Sequence, residues 1–324
     1  MLTEGCRLCY EGAKMVLFIT GRCRRSCWYC PIPGERKGRE VVFANEREVH
    51  GPDEVIHEAR LMSALGSSLT GGEPLLALER VIEYAGALKS AFGEGHHIHL
   101  YTGEAPDEGV LMRMRGLVDE IRIHPPVESW GRIMESDHLY SAVRAKELGY
   151  SAGFEVPCLP EVEALAPALE VLDFMNINEL EWGELSAEEM RRKGYEPSDD
   201  LHNAVKHSAK WARRIRHHPK VHFCPSGFKD SIQLRERLKR IARNTARPFD
   251  EITVDGTIRY GLLEPSCELD LSIIPLKVGK FQQIDGRYEM DWRFLKRLAK
   301  RLPGRKCIIE RYPNQGVVVE VIPL

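Results

Sequence analysis

With 324 residues, 43% of them hydrophobic, the chain can bury a substantial core and suits one large domain with a smaller accessory one. A formal net charge of −2 excludes a global field toward nucleic acid or membrane, and no apolar run approaches the ~18 residues that span a bilayer. Nine cysteines without a charged, apolar and small-residue leader point to a reducing cytoplasm where thiols act as ligands, and 29% charged residues lean toward a thermophile.

From the N-terminus, Cys6-Arg7-Leu8-Cys9 is a C-x2-C pair of the kind that clamps a metal. The apolar run Met15 to Thr20 reads as a buried strand. Directly after it, Cys23-Arg24-Arg25-Ser26-Cys27-Trp28-Tyr29-Cys30-Pro31 sets three cysteines at C-x3-C-x2-C spacing. Thiolates this close cannot make a disulfide framework, but Cys23, Cys27 and Cys30 can ligate three irons of one cubane cluster from a short loop. The fourth iron is then open to a small molecule. A zinc knuckle built on the same cysteines needs a fourth ligand nearby. The next strand-like run, Ser67 to Thr70, leads into Thr70-Gly71-Gly72-Glu73-Pro74.

These two motifs, in this order and about forty residues apart, resemble those of the radical S-adenosylmethionine (SAM) superfamily. The resemblance implies that Cys23, Cys27 and Cys30 hold a [4Fe-4S] cluster whose open iron chelates SAM. It further implies that Gly71, Gly72 and Glu73 meet the amino group of the cofactor's methionine, and that Tyr29 touches its adenine. The stretch from Cys6 through Pro74 is most similar to an archaeal-type group related to pyruvate formate-lyase (glycyl-radical) activating enzymes. The likeness covers roughly residues 6 to 180 and speaks for the chemistry, not the substrate. It implies reductive cleavage of SAM, with an electron donor protein as partner, to a 5'-deoxyadenosyl radical that takes a hydrogen atom from the substrate.

Short apolar strands alternate with helical patterns as far as Asn178, the sequence form of a parallel sheet. Strands are expected at Met15 to Thr20, Ser67 to Thr70, His97 to Thr102, Glu120 to His124, Ala152 to Pro157 and Leu172 to Asn178. Helical spacing marks Asp53 to Leu65, Leu75 to Ala91, Asp107 to Leu117, His138 to Leu148 and Glu161 to Leu169, with stops at Gly66 and Gly149. Six units imply an α/β fold, the incomplete (β/α)6 barrel of the family. In barrels, sites lie at strand C-terminal ends, which makes Thr102, His124, Glu155 and Asn178 candidates for cofactor contact, Asn178 with Tyr29 for the adenosine, and Glu104 a further strand-end candidate. Gly149 to Glu155 departs from the Gly-rich element common on the family's fifth strand. Cys158 reads as a small buried residue.

Beyond the sixth strand, Ser186-Ala187-Glu188-Glu189 is a capping-box pattern opening a short helix to about Gly194. Lys206 to Arg247 concentrates Lys and Arg against Asp230 and Glu236, with Leu234, Leu238 and Ile241 at helical spacing in Gln233 to Arg243. A single-sign stripe beside an active-site mouth suits a polyanion such as RNA; the plain alternative is a basic face paired with acidic helices. Within it, His222 and Cys224 would complete a second metal site with Cys6 and Cys9 if the N-terminal segment folds back. That set suits structural zinc or an auxiliary iron-sulfur cluster, against ordinary buried cysteines. From Phe249, hairpins around Asp255-Gly256 and Ile284 to Arg287, a helix at Asp291 to Leu302, and strands at Cys307 to Glu310 and Val317 to Ile322 make an α+β appendage. The expected division is a partial barrel with its CxxC extension at 1–200, a basic helical segment at 201–248 and a small α+β domain at 249–324. The preferred substrate at this level is tRNA or rRNA; the alternative is a small metabolite or a protein partner to be activated, with the basic helix structural.

Overall fold

The computed structural model describes residues 2–199, 203–267 and 281–324. The boundary expected at residues 200 and 201 therefore lies outside the described residues. Two compact units divide the chain, Met1–Arg60 with Ala64–Gln233 and Leu61–Ser63 with Leu234–Leu324.

The first unit is a nine-stranded sheet. Its strands are β1 (Lys14–Phe18), β2 (Phe43–Ala44), β3 (Arg47–Glu48), β4 (Gly66–Thr70), β5 (His97–Thr102), β6 (Glu120–Ile123), β7 (Ser151–Pro157), β8 (Phe174–Asn178) and β9 (Val221–Cys224), in the order β3-β2-β1-β4-β5-β6-β7-β8-β9. All pairings from β1 through β4 to β9 are parallel, whereas β2 and β3 add an antiparallel ribbon at the edge. Strands in sequence order joined by helical crossovers, with β1 and β9 unpaired to each other, make an open parallel barrel. The helices are α1 (Glu4–Tyr10), α2 (Pro52–Leu61), α3 (Leu78–Phe92), α4 (Glu108–Met114), α5 (Asp137–Glu147), α6 (Ala187–Arg192) and the single turn α7 (Ser226–Phe228). Thr3, Asp107 and Ser136 cap α1, α4 and α5 by accepting from the amides of Cys6, Val110 and Leu139.

Four expectations need correction. A seventh parallel strand, β9, lies within the segment read as a basic helical one at 201–248. Glu161 to Leu169 is a 3-10 helix, Val162–Glu170, because Pro167 inside it lacks an amide hydrogen. The helix expected to stop at Gly66 stops at Leu61, close to the left-handed Ser63 (φ 48°). Gly66 itself is in β4, where a Cβ would stand 2.4 Å from the His97 carbonyl oxygen. Ser186 forms no capping box; its hydroxyl donates to the Gly183 carbonyl at 3.2 Å.

Parallel register sends alternate side chains to one face, and here that face is polar. Lys14 Nζ lies 2.7 Å from His97 Nδ1. Arg122 stands between Glu120 (2.5 Å) and Glu155 (2.6 Å). Glu155 also accepts from Asn176 (3.1 Å), Asn178 (2.8 Å) and the Tyr101 hydroxyl. Burial alone would push the Glu155 carboxyl up, but Arg122 and these three donors hold it below the usual carboxylate range. The opposite face supplies the apolar core, including the fully buried Leu69, Leu100, Ile121, Phe154 and Ile177.

The second unit holds α8 (Arg235–Thr245), α9 (Trp292–Leu298) and the strands β10 (Glu251–Ile252), β11 (Ile258–Glu264), β12 (Phe281–Ile284), β13 (Arg287–Met290), β14 (Arg305–Arg311) and β15 (Val318–Pro323). Its antiparallel sheet runs β12-β13-β11-β14-β15, with β10 also on β11. Asp285 and Gly286 both have positive φ, 48° and 79°, the mirror-image turn that suits a two-residue hairpin. One apolar cluster gathers Leu263, Tyr288, Met290, Leu295 and Leu302. Among the described residues no helix is long and apolar enough to cross a membrane.

Candidate active site

The loop leaving β1 carries the three clustered cysteines and folds tightly on itself. Gly21 N donates to Arg39 O and Gly38 N to Gly21 O, both at 2.8 Å. A Cβ at Gly21 would sit 1.7 Å from the Arg36 carbonyl oxygen, so only glycine fits. The turn after β4 then lies backbone to backbone against this loop. Gly72 N donates to Thr20 O and Glu73 N to Arg22 O, both at 2.7 Å. Cβ atoms at Gly71 and Gly72 would come within 2.4 Å of Thr20 O and 2.3 Å of Arg22 O. Gly71 also has φ 150°. The glycine pair therefore has a mechanical reason: it brings two backbones into contact.

Glu73 is fully buried, and its carboxylate brackets the ends of two strands. One oxygen accepts from Leu75 N (3.0 Å) and the Thr102 hydroxyl (2.8 Å), the other from Gly103 N (2.7 Å). Of about four acceptor positions on a carboxylate, three are filled by protein. Burial raises its carboxyl pKa against these three donors.

Two further contacts pin the cysteine loop to the barrel. Arg25 Nη1 donates to the carbonyls of Gly103 (2.9 Å) and His124 (2.7 Å). The Tyr29 hydroxyl lies 2.9 Å from His124 Nε2. Burial, then Arg25, pushes His124 down to about 4, so its ring is neutral at neutral pH and Nε2 can accept from Tyr29. Sequence reading passed over Arg25, since an arginine between cysteines looks like any surface cation.

Around these groups lies a cavity of about 290 Å³. The structure brings to its wall Cys23, Cys27, Cys30, Tyr29, Gly71, Gly72, Glu73, Thr102, His124, Glu155 and Asn178. Glu104 is not among them; it lines a separate groove with Asp107 and His138. Lys229 and Glu181, paired at 2.5 Å, stand in the cavity wall and were not anticipated. Cys23 is exposed, Cys27 and Cys30 are half-buried, and all three are free thiols.

Residues 17–150 match the Radical SAM superfamily, and residues 256–324 match a domain of unknown function, DUF8061. A protein of Methanocaldococcus jannaschii, provisionally named a glycyl-radical enzyme activating enzyme, is 38% identical over 354 aligned positions, which cover all of this chain and 93% of that protein. The chain belongs to the radical SAM superfamily, in the group related to pyruvate formate-lyase activating enzymes. Among solved structures, Streptococcus suis SuiB bound to the precursor peptide SuiA aligns with a TM-score of 0.43 at 10% identity, over 76% of this chain and 56% of that one. This chain thus spans little more than half the length of that neighbour.

As a radical SAM enzyme the protein uses a [4Fe-4S] cluster and SAM. Its wall suits both: three unpaired thiols on one loop, and one acceptor position left on a buried carboxylate. Among the described residues no three Cys, His, Asp or Glu side chains converge to hold a metal ion. A cubane, however, takes each thiolate on a different iron and asks for no common point. A second cluster at Cys6, Cys9, His222 and Cys224 would ask for no common point either. The N-terminal segment does fold back, with the Tyr10 ring 6.0 Å from His222 and 4.1 Å from Phe228, and Cys6 and Cys9 come near enough to Cys224 for their charges to add to its raised thiol pKa. Cys6 accepts from Arg122 at 3.5 Å, and burial pushes Cys9 up to about 11 and Cys224 up to about 12. Cys158 is buried and donates to Ser208 O at 3.1 Å.

The basic stretch Lys206 to Arg247 is also not what its composition suggested. Lys206 pairs with Glu196, Arg214 with Glu163, Lys239 with Glu236 and Arg247 with Asp250. Lys220 donates to the carbonyls of Leu169 and Leu172, and Arg240 to that of Met62. Arg237 is buried. Lys220, Arg237 and Arg240 are built into the structure, whereas the exposed pairs of Lys206 and Arg214 hold their cations loosely, so the composition of the stretch does not by itself make an RNA surface.

Proposed function

We propose that this radical SAM enzyme activates a protein partner by taking a hydrogen atom from a glycine Cα, leaving a glycyl radical. The observation that carries the reading is the 38% identity running the full chain and 93% of a relative named for that activity. It outweighs the RNA reading, which stood on the basic stretch alone. The cavity beside the three cysteines, about 290 Å³, lies close to the lower bound of small-ligand sites, roughly 300 Å³.

In this reading Cys23, Cys27 and Cys30 hold the cluster, which with SAM supplies the 5'-deoxyadenosyl radical on one-electron reduction. Glu73 offers its remaining acceptor position to the ammonium of the methionine moiety, as do the close backbones of Gly71 and Gly72. Asn178 donates one side-chain amide hydrogen to Glu155 and leaves its side-chain carbonyl oxygen for the adenosine end, beside Tyr29, Thr102 and His124. The chain's own contribution is to hold these parts in one walled site where one C–H bond can be set beside the radical carbon.

Anaerobic incubation of the reconstituted protein with reductant, SAM and a candidate glycine-radical partner tests the reading. The expected result is 5'-deoxyadenosine formation together with an organic radical whose EPR signal is a doublet, split by the one hydrogen left on the glycine Cα. 5'-Deoxyadenosine formation stimulated by RNA or by a metabolite extract, with no protein radical, would replace it.

A further inference from the structure

Each SAM cleaved requires one electron from outside, and the cysteine loop presents two unlike stretches to its surroundings. From Trp28 to Pro31 it is covered by the segment after β8. Trp28 lies parallel to Tyr195, centroids 5.3 Å apart and planes 2° from coplanar, with Lys193 5.2 Å from the Trp28 ring. Tyr195 is backed edge-on by Trp211 at 5.7 Å. A Cβ at Gly183 would come within 3.2 Å of the Cys30 carbonyl oxygen and 3.3 Å of Pro31. That packing shields the Trp28 side of the loop from a large partner, although Pro31 is exposed and Tyr29 and Cys30 also face the cavity.

The stretch from Arg22 to Arg24 is different. Cys23 is the exposed member of the three, and Arg22, Arg24 and Arg39 around it are exposed as well. Arg39 is held next to Gly21 by the backbone bond between them. Residues 21–40 carry Arg22, Arg24, Arg25, Arg36, Lys37 and Arg39 against Glu35 and Glu40, in a chain whose total is −2. Arg25 and Arg36 are engaged, Arg25 with carbonyls and Arg36 over the Phe43 ring at 3.9 Å. Arg22 reaches Glu40 at 3.5 Å in an exposed pair, a contact worth little in water. Among the described residues neither Arg24 nor Arg39 has a side-chain partner. Cations left unpaired beside the exposed cysteine form a surface that attracts an anionic partner and orients it.

We propose that Arg22, Arg24 and Arg39 form the docking surface for an acidic, low-potential electron-carrier protein, which reduces the cluster from the Cys23 side. This rests on the assignment of Cys23, Cys27 and Cys30 to the cluster. In the step, the carrier loses one electron and the cluster gains it, with no bond made or broken. Weak, salt-sensitive complexes with small interfaces suit such an encounter, because the carrier must leave to be recharged.

The test is the rate of cluster reduction in the reconstituted full-length protein, followed by iron-sulfur absorbance and the EPR signal of the reduced cluster. The reductants are a reduced acidic ferredoxin, at low and high salt, and photoreduced deazaflavin, a small uncharged donor. The parent should be reduced by ferredoxin more slowly as salt rises. The Arg22→Glu/Arg24→Glu/Arg39→Glu variant should lose about tenfold or more of the low-salt ferredoxin rate, with an unchanged deazaflavin rate and unchanged iron content. Arg24→Glu alone should show a smaller loss in the same direction. An unaltered ferredoxin rate in both variants overturns the proposal, as does equal slowing with both reductants, which would mean a disturbed cluster. Loss of tRNA binding with no change in ferredoxin reduction would assign the surface to nucleic acid. A parent that binds no iron would sink the cluster assignment itself.

Discussion

Cys23, Cys27 and Cys30 announce themselves by spacing, because no fold requirement places three thiols so close on a polar loop. The residues that make the loop stiff do not. Arg25 donates to two carbonyls on neighbouring strand ends, and nothing local to its sequence distinguishes it from Arg24, which is exposed. Replacing Cys27 by Ala should remove nearly all bound iron while the chain stays folded; retained iron would dismiss the ligand set. Arg25→Ala should leave iron bound but speed its transfer to a chelator, since two hydrogen bonds of roughly 1 kcal/mol each, more for a charged donor, are lost from the loop. Glu73→Gln should raise the KM for SAM more than it lowers kcat, because both the charge and the last acceptor position disappear. Equal KM values would take Glu73 out of cofactor contact and leave it as a bracket.

Elements were legible where their period was clean. The strand His97–Thr102 lies where its pattern puts it, and the Ile284 to Arg287 turn follows from Asp285-Gly286. β9 was hidden because its four residues, Val221–Cys224, follow a run of Arg and His from Arg213 to His218 that reads as helix surface. α1 is only seven residues long, too short for a periodicity to declare itself. Of the polar bore, only Glu155 and Asn178 were legible, as strand-end residues, since alternating His, Glu and Arg along β5 and β6 look like the solvent face of an antiparallel sheet. Its Glu120–Arg122–Glu155 triad is buried, so Arg122→Leu should destabilise the chain by about 3–5 kcal/mol, the cost of stranding two carboxylates. Denaturant midpoints check this, and a change under 1 kcal/mol would mean that water reaches the bore. Gly72→Ala should instead act locally, forcing the turn off Arg22 O and lowering iron and SAM affinity with little effect on that midpoint.

At the scale of the molecule, buried imidazoles tie stability to pH. Burial holds His96 and His124 down to about 4 and His97 down to about 3, with Lys14 adding to the effect on His96 and His97. His97 stands 3.5 Å from Glu120, but beside Lys14 and Arg122 it stays neutral, so that contact is not an ion pair. Folded pKa values below the unfolded value of about 6.5 mean that the unfolded chain binds more protons across this interval. The stability these rings contribute is therefore complete above about pH 6.5 and is lost as pH falls toward 4, with unfolding accompanied by proton uptake. Unfolding free energies measured from pH 7 to pH 4.5 should decline, and a flat profile would show that these rings titrate freely in the fold.

The contacts that shape the cysteine loop also set an order of assembly. Gly21 and Arg22 are completed by Arg39, Gly72 and Glu73, and Arg25 and Tyr29 by Gly103 and His124. All of these partners leave the ribosome after the cysteines do. A nascent chain short of His124 carries the three thiols on a segment with no fixed shape, competing for iron as an ordinary flexible peptide. Stable iron binding is thus expected to wait for the pairing of β1, β4, β5 and β6, and a chain arrested before that point should release its iron to a chelator as fast as the unfolded peptide does.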